Sequence, residues 1–318
     1  MPAPSPDRSL VVLVGLILAH ASWPAKVRAE GPSEKSQLWD SLRYPAAGDY
    51  FDLVSRSELA IANRAQSAET LAKAQADLAA AIRLSPGRPQ AWVALGRLRE
   101  AARQYDGAAE AYGKASRLDP SYLPRTLGYA RAMALLRAGR HLASAIVFRA
   151  LARPKDPPRM AASLLGNAAN AYLAAGHLKT ALALFQAAID KDPGYAPPRW
   201  GLAVASHMAA HPKRAENLAR VALLLDPEAR FLSSEHALFV PQASRHYHLA
   251  LSLEARGELA SATRAWSIFL KEAPRSPWRP QVEAALERLG RVRDKAGSRA
   301  STGTPPGAPR PGAPRGQR

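Results

Sequence analysis

The sequence predicts an all-α protein in which about six helix-turn-helix repeats stack into a superhelical solenoid, with capping helices at its ends. Three observations support this fold class. The 318 residues are rich in alanine, and proline or glycine interrupts the chain roughly every fifteen to twenty residues. Similar residues recur at a spacing of about 34 positions, which is the length of one antiparallel helix pair. Two positions of this repeat are small in every copy, so that paired helices can approach closely.

Composition and charge exclude several classes of function. The chain contains no cysteine, and this absence excludes disulfides, thiolate metal sites and cysteine nucleophiles. Its 44 lysine and arginine residues outnumber 26 aspartate and glutamate residues, and the net charge is +18. Of this charge, +2 lies in residues 1–29, +6 in residues 291–318 and +10 in the body between them. Most of the excess positive charge therefore belongs to the predicted helical body.

Residues 1–29 have the layout of a bacterial-style secretory signal peptide. Arg8 precedes an apolar run over 10–19, and small residues follow the run. A membrane-spanning helix needs roughly 20 apolar residues, so that retention of this run as an anchor is the weaker alternative. Cleavage after Ala21 and cleavage after Ala29 both remain open. We therefore expect a periplasmic or secreted protein whose membrane contact is limited to the signal peptide.

Residues 30–54 form a lead-in that can cap the first repeat. Ser33 is placed to begin a short helix that carries Leu38, Trp39 and Leu42. A stacked array needs such a cap because the apolar face of its first repeat has no neighbour.

The repeat is clearest from Pro89 onwards. Trp92 is its fourth residue, Leu95 and Gly96 are the seventh and eighth, and Tyr112 is the twenty-fourth. This spacing resembles the tetratricopeptide repeat. The match recurs in six windows, which are 55–88, 89–122, 125–158, 162–195, 196–229 and 243–276.

Small residues occupy the eighth and twentieth positions of all six windows. The eighth residues are Ala62, Gly96, Ala132, Ala169, Ala203 and Ala250, and the twentieth are Ala74, Ala108, Ser144, Ala181, Ala215 and Ala262. Small residues at facing positions let two helix backbones pack at the short end of the usual spacing. Proline is the thirty-second residue of five windows and predicts the end of each second helix, while the third window has Asp156 instead.

Three segments complete the chain. An insertion over 230–242 carries five large apolar residues and is either an extra packed turn or an exposed contact loop. A final helix over 280–294 has apolar residues at three- and four-residue steps and caps the sixth repeat, so that the array spans 55–294. Residues 295–318 repeat the string Pro-Gly-Ala-Pro-Arg and predict a disordered tail.

The sequence carries no recognisable catalytic motif. It holds no phosphate-binding glycine loop, no dinucleotide fingerprint, no Gly-x-Ser-x-Gly elbow and no His-Glu-x-x-His zinc motif. His207 and His211 have the spacing of a metal pair, but Met208 stands where a metalloprotease has glutamate and no third ligand is identified. We therefore predict structural histidines, no enzyme activity, no cofactor and no metal.

The resemblance implies a module for protein–protein interaction. Tetratricopeptide arrays lay a peptide along a groove lined by the first helix of each repeat, and their second, fifth, ninth, twelfth and thirteenth positions face it. At these positions the candidate partner-binding residues are Asn63, Gln90, Arg97, Tyr129, Asn170, Trp200, His207 and Tyr247. Amides suit a peptide backbone, a guanidinium suits a carboxylate and aromatic rings suit apolar side chains. The alternative is that some of these residues only pack between neighbouring first helices.

Two functional hypotheses follow. The first is a non-enzymatic scaffold of the cell envelope that binds a protein or peptide segment in the groove, in assembly or secretion of envelope components. The second is an electrostatic adaptor for an anionic envelope polymer, which would use the basic body and tail. Binding to a chaperone C-terminus is disfavoured because no repeat combines the lysine and asparagine that the family's cytosolic co-chaperones use. Nucleic acid is not an expected partner for an exported protein.

Overall fold

The computed structural model describes residues 45–62, 67–230 and 242–301, with side chains described from Gly48 to Asp294. The signal peptide, most of the lead-in, most of the insertion and residues 302–318 of the tail lie outside the described residues. So does the candidate site residue Asn63.

Thirteen helices and no strand are present in the described part of the chain. They are α1 (Pro45–Ala62), α2 (Ala68–Leu84), α3 (Pro89–Ala101), α4 (Tyr105–Leu118), α5 (Pro124–Arg137), α6 (His141–Leu151), α7 (Pro158–Ala174), α8 (Leu178–Lys191), α9 (Ala196–Met208), α10 (Pro212–Leu225), α11 (Ser244–Ala255), α12 (Leu259–Glu272) and α13 (Arg279–Ser301).

The helices pack in chain order as six hairpins followed by a single helix. Each described helix contacts the next one along the chain, and the pairs are α1/α2, α3/α4, α5/α6, α7/α8, α9/α10 and α11/α12. Successive first helices also touch, as α1 does with α3, α7 with α9 and α9 with α11. The protein is therefore an all-α superhelix of the tetratricopeptide type, with its first helices in one layer.

Prolines define both ends of many helices. Six of the first twelve helices have proline in their first turn, where the missing N–H donor costs nothing. Five second helices, α2, α4, α8, α10 and α12, end two residues before a proline of the repeat. Proline therefore fixes the length of the second helix in these repeats.

Close contact between paired helices depends on the small residues. Eleven of the twelve small positions are buried in the structure, and the exception is Ala62 at the end of α1. At the twentieth position of the third repeat, the Ser144 hydroxyl donates a hydrogen bond of 2.7 Å to the carbonyl of Ala132 on the facing helix. A larger side chain at such a position would separate the two backbones.

The first hairpin has a different register from the one that the sequence window suggests. Ser57, and not Ala62, faces Ala74, because the Ser57 hydroxyl donates to the Ala74 carbonyl at 3.2 Å. Ser57 is fully buried, whereas Ala62 is exposed. The connection from α1 to α2 is five residues long, while the other five hairpins have three, so that a constant spacing does not hold here.

The C-terminal helix continues the apolar core. Val282 and Ala285 are fully buried and Leu289 is 6% exposed, and all three join the cluster that contains Tyr247 and Trp266. Helix α13 runs to Ser301, into the segment that the sequence assigns to the tail. None of the helices in the described residues is both long and apolar enough to cross a bilayer.

Candidate functional site

The first helices of successive repeats are joined by polar side-chain contacts, and we call the face that carries these contacts the inner strip. In each contact the two partners are 37 to 40 residues apart, which is close to one repeat. The contacts are Tyr50–Gln90 (3.4 Å), Glu58–Arg97 (2.7 Å), Glu100–Arg137 (3.2 Å), Tyr129–Asn167 (3.4 Å) and His207–Tyr247 (2.7 Å). Apart from Tyr50 and Asn167, these side chains are at expected groove positions, and those of neighbouring repeats lie side by side.

The N-terminal part of the inner strip is accessible. The Arg97 side chain is 48% exposed and its partner Glu58 is 44% exposed. Asn170 on α7 is exposed and makes no hydrogen bond within the described residues, and Asn167, one turn earlier, is half-buried. Amide donors and acceptors and an ion pair are thus available here to a ligand.

Tyr129 lies between these polar groups and the core. Its ring meets the buried Phe148 edge to face, with ring centroids 5.3 Å apart, and its hydroxyl accepts a hydrogen bond from the Asn167 amide. Burial raises the pKa of the Tyr129 hydroxyl well above its ordinary value, so that the group stays protonated and can donate. The residue is half-buried at this point of the inner strip.

The C-terminal part of the inner strip is closed. Trp200 and Tyr247 are fully buried and His207 is 3% exposed. The His207 ring stacks on Trp266 with centroids 5.3 Å apart and an interplanar angle of 18°. In this structure these candidates pack between repeats, as the alternative from sequence allows, and their side chains do not reach the surface.

Helix α13 accounts for part of this closure. The Gln281 amide donates to the carbonyl of Met208, the last residue of α9, at 3.3 Å. Arg288 pairs with Glu254 at the end of α11, and the same carboxylate accepts from the Trp266 indole at 2.6 Å. The chain thus covers the last two first helices with its own C-terminal helix.

Burial controls the charge state of the closed part. Burial, with a smaller contribution from the positive charge of Arg288, lowers the pKa of His207 to about 4. Burial also lowers the pKa of His248 to about 4, against a smaller opposing effect of its hydrogen bond to the Ser244 carbonyl. Both imidazoles are therefore neutral at neutral pH and act as structural groups.

The candidate residues divide into four groups. Arg97 and Asn170 are exposed on the inner strip, and Gln90 and Tyr129 are half-buried within it. Trp200, His207 and Tyr247 are buried, and Asn63 lies outside the described residues. Sequence reasoning did not select Glu58 or Asn167. Glu58 follows Ser57 and takes the ninth position once the register of the first hairpin is corrected, and Asn167 precedes Asn170 by one helical turn.

Metal chemistry finds no support in the described residues. No three histidine, aspartate or glutamate side chains gather there in a way that could hold a metal ion. His207 is buried against aromatic rings, while His211 is exposed, so that the two imidazoles have different environments.

Comparisons with known proteins concern the repeat and the fold. A family profile described as "Tetratricopeptide repeat" matches residues 172–234, which include α8, α9 and α10. No curated protein sequence matches the chain.

Solved structures of repeat proteins align with this chain at low identity. YrrB, described as a TPR protein with an unusual peptide-binding site, has a TM-score of 0.47 at 16% identity, and the match covers 61% of this chain and 94% of YrrB. PilW, a type IV pilus biogenesis factor, has a TM-score of 0.43 at 18% identity, with 71% and 96% covered. PilF of Pseudomonas aeruginosa has a TM-score of 0.47 at 11% identity, with 76% and 99% covered.

Proposed function

We propose that this tetratricopeptide-repeat protein is a non-enzymatic scaffold that binds an extended segment of a partner protein on the open part of its inner strip, between α1 and α7. Proteins built from this repeat bind protein or peptide partners, and their fold is generally non-catalytic. The observation that carries the proposal is the accessibility of Arg97 and Asn170 on a layer whose other end is covered by α13.

The chemistry of the open part suits a peptide. An extended peptide presents a backbone N–H and a carbonyl at each residue, and one asparagine amide can pair with both. Asn167 and Asn170 stand one helical turn apart on α7 and are positioned to pair with successive backbone groups of the ligand. The edge of the Tyr129 ring contacts an apolar side chain of the bound peptide. The exposed Glu58–Arg97 ion pair favours a peptide that carries a charged side chain next to it.

Site-specific photo-crosslinking in cells tests this proposal. A photoreactive phenylalanine analogue replaces Asn170 in one variant and Lys179, an exposed residue of the second helix α8, in the control. We expect a discrete protein adduct from position 170 and none from position 179, because the partner lies along the first helices. Equal adducts from both positions, or an adduct from position 179 alone, would contradict binding on the inner strip.

The proposed place of action is the cell envelope. This part of the proposal rests on the signal-like residues 1–29, which lie outside the described residues. Cell fractionation and N-terminal sequencing of the mature protein test it. We expect a periplasmic or secreted protein that begins at residue 22 or 30, and a full-length cytosolic protein would overturn the envelope role.

The second candidate function is the adaptor for an anionic polymer. It is favoured by exposed cations of the second helices, such as Lys114, Arg149 and Lys179, which have no acidic partner among the described residues. Binding through many such cations weakens steeply as salt rises, whereas capture on the inner strip depends on Asn170 and responds little to salt. A binding assay at low and high ionic strength, with and without Asn170→Ala, separates the two functions.

A further inference from the structure

One arginine lies at a position where neighbouring repeats have buried apolar residues. Arg131 precedes the small residue Ala132 and takes the seventh position of the third repeat. The equivalent residues of the second, fourth and fifth repeats are Leu95, Ala168 and Leu202, which are between 0% and 8% exposed, whereas Leu249 of the sixth repeat is 37% exposed. Arg131 is half-buried at the seam between α4 and α5. Partial burial of a charged group costs free energy unless an oppositely charged or hydrogen-bonding partner offsets the lost hydration. An arginine at this position is therefore unexpected without such a partner.

A second guanidinium converges on the same point. If Gly113 of α4 carried a β-carbon, that atom would lie 3.3 Å from Nε of Arg131 and 3.4 Å from Nη1 of Arg117. The absence of a side chain at Gly113 therefore makes room for both arginines. Glycine within a helix costs about 1 kcal/mol relative to alanine, so that this space has an energetic cost.

No acidic group neutralises the two arginines within the described residues. Neither Arg117 nor Arg131 has an ion pair or a side-chain hydrogen bond there. Glu110, one turn before Gly113 on α4, is exposed and pairs with neither of them. The ammonium group of Lys114, the next residue along α4, lies 6.0 Å from the Trp92 ring of α3 and does not neutralise them either.

We propose that Arg117 and Arg131, which the small Gly113 lets approach the same point, form a binding site for a phosphate-type dianion. A guanidinium is planar and always charged, and it donates paired hydrogen bonds to phosphate oxygens. Two guanidinium groups around one point match the two charges that a phosphate monoester carries near neutral pH. This site lies on the seam between α4 and α5 and is independent of peptide capture on the inner strip.

Thermal unfolding with inorganic phosphate tests the site. Phosphate also stabilises proteins in a general way, so the comparison is made between variants, with sodium chloride at equal ionic strength as the reference. We expect a saturable rise of the unfolding midpoint in the unaltered protein. Arg131→Gln and Arg117→Gln should each need about tenfold more phosphate for half of the rise, because each removes charged hydrogen bonds. The control Arg149→Gln, at an exposed arginine of α6, should behave like the unaltered protein.

The same variants identify the source of the phosphate group. Vesicles of phosphatidic acid in phosphatidylcholine that retain the unaltered protein and the control, but not Arg131→Gln, would indicate a lipid headgroup. A response to inorganic phosphate without retention on vesicles would indicate a soluble phosphorylated ligand. An equal phosphate response in Arg131→Gln, Arg117→Gln and the unaltered protein would overturn the site. Because Arg117 is exposed, its substitution leaves the fold intact and keeps the test valid if Arg131→Gln is unstable.

Discussion

At the residue scale, the space between helices decides which substitutions the protein tolerates. A β-carbon on Gly201 of α9 would overlap the ring of the buried Phe185, and one on Gly96 would overlap the ring of Tyr112. Around Gly290 of α13, by contrast, no atom lies within 4 Å of the β-carbon position. The same substitution should therefore have opposite effects at these sites.

Gly201→Ala should lower the free energy of unfolding by about 1–3 kcal/mol because the Phe185 ring must move out of its packed position. Gly290→Ala, its matched control, should raise the free energy of unfolding by about 0.5–1 kcal/mol, since alanine is a better helix former than glycine and its β-carbon meets no atom there. Denaturant unfolding measures both. A neutral Gly201→Ala would contradict the close packing of α9 on Phe185.

The buried histidines predict that stability depends on pH. In the unfolded chain a histidine has a pKa near 6.5, whereas burial lowers the pKa of His207 and of His248 to about 4. Below about pH 6.5 the unfolded chain therefore binds protons that the folded protein does not. The stabilisation is complete above this pH and is lost as the pH falls towards 4.

At pH 5 this effect should cost about 2 kcal/mol for each of the two histidines relative to pH 7.5. His207→Gln keeps a polar group beside Tyr247 but removes the titration. Denaturant unfolding of both proteins at the two pH values measures the difference. We expect a smaller loss between pH 7.5 and pH 5 in His207→Gln, and an equal loss in both proteins would show that His207 is not the titrating group.

At the element scale, the hairpin turns share one backbone requirement. The middle residue of each three-residue turn has a positive φ, and it is Gly139, Gly176 or Gly257 in three hairpins, with φ between 76° and 82°. In the other two hairpins the same position holds Arg103, with φ 57°, and Ala210, with φ 62°. Non-glycine residues are strained in this region because of their β-carbon.

Ala210→Gly should therefore stabilise the protein by about 1 kcal/mol, and Gly176→Ala should destabilise it by about the same amount, since each changes the strain of an equivalent turn in the opposite direction. Thermal unfolding of the two variants measures the pair. Destabilisation by both substitutions would contradict the left-handed conformation at residue 210.

The helices themselves were largely predictable from the sequence. The 34-residue period places small residues and prolines at fixed intervals, and these residues pack the hairpins and end the second helices. The register of α1 was not predictable in this way, because the longer connection to α2 breaks the period and makes Ser57 the partner of Ala74. The space at Gly113 was also missed, since only the folded chain brings Arg131 beside Arg117.

At the scale of the whole molecule, the site was predictable only in part. The family's positions identified the exposed Arg97 and Asn170, because a single repeat determines which side of its first helix faces the neighbouring first helices. These positions did not predict that Trp200, His207 and Tyr247 are buried. Their burial depends on how distant helices pack, and α13 covers part of this region. The pattern of one helix carries no information about which later segment of the chain will lie on it.

The N-terminal and C-terminal halves of the molecule differ in how accessible their inner strip is. Its N-terminal repeats have an accessible inner strip, and its C-terminal repeats are stabilised by aromatic stacking and by the Glu254 interactions with Trp266 and Arg288. On our proposal, a partner segment binds the first part and leaves the second unchanged.

The most direct test of this account is the dissociation constant of a peptide selected for binding from a random library. Calorimetry would compare the unaltered protein with Asn170→Ala on the inner strip and with Ile146→Ala, a residue 54% exposed on the second helix α6. We predict that Asn170→Ala weakens binding by about tenfold, because it removes hydrogen bonds to the peptide backbone, and that Ile146→Ala leaves the constant unchanged. Weaker binding by Ile146→Ala with no change in Asn170→Ala would contradict the inner strip as the binding surface.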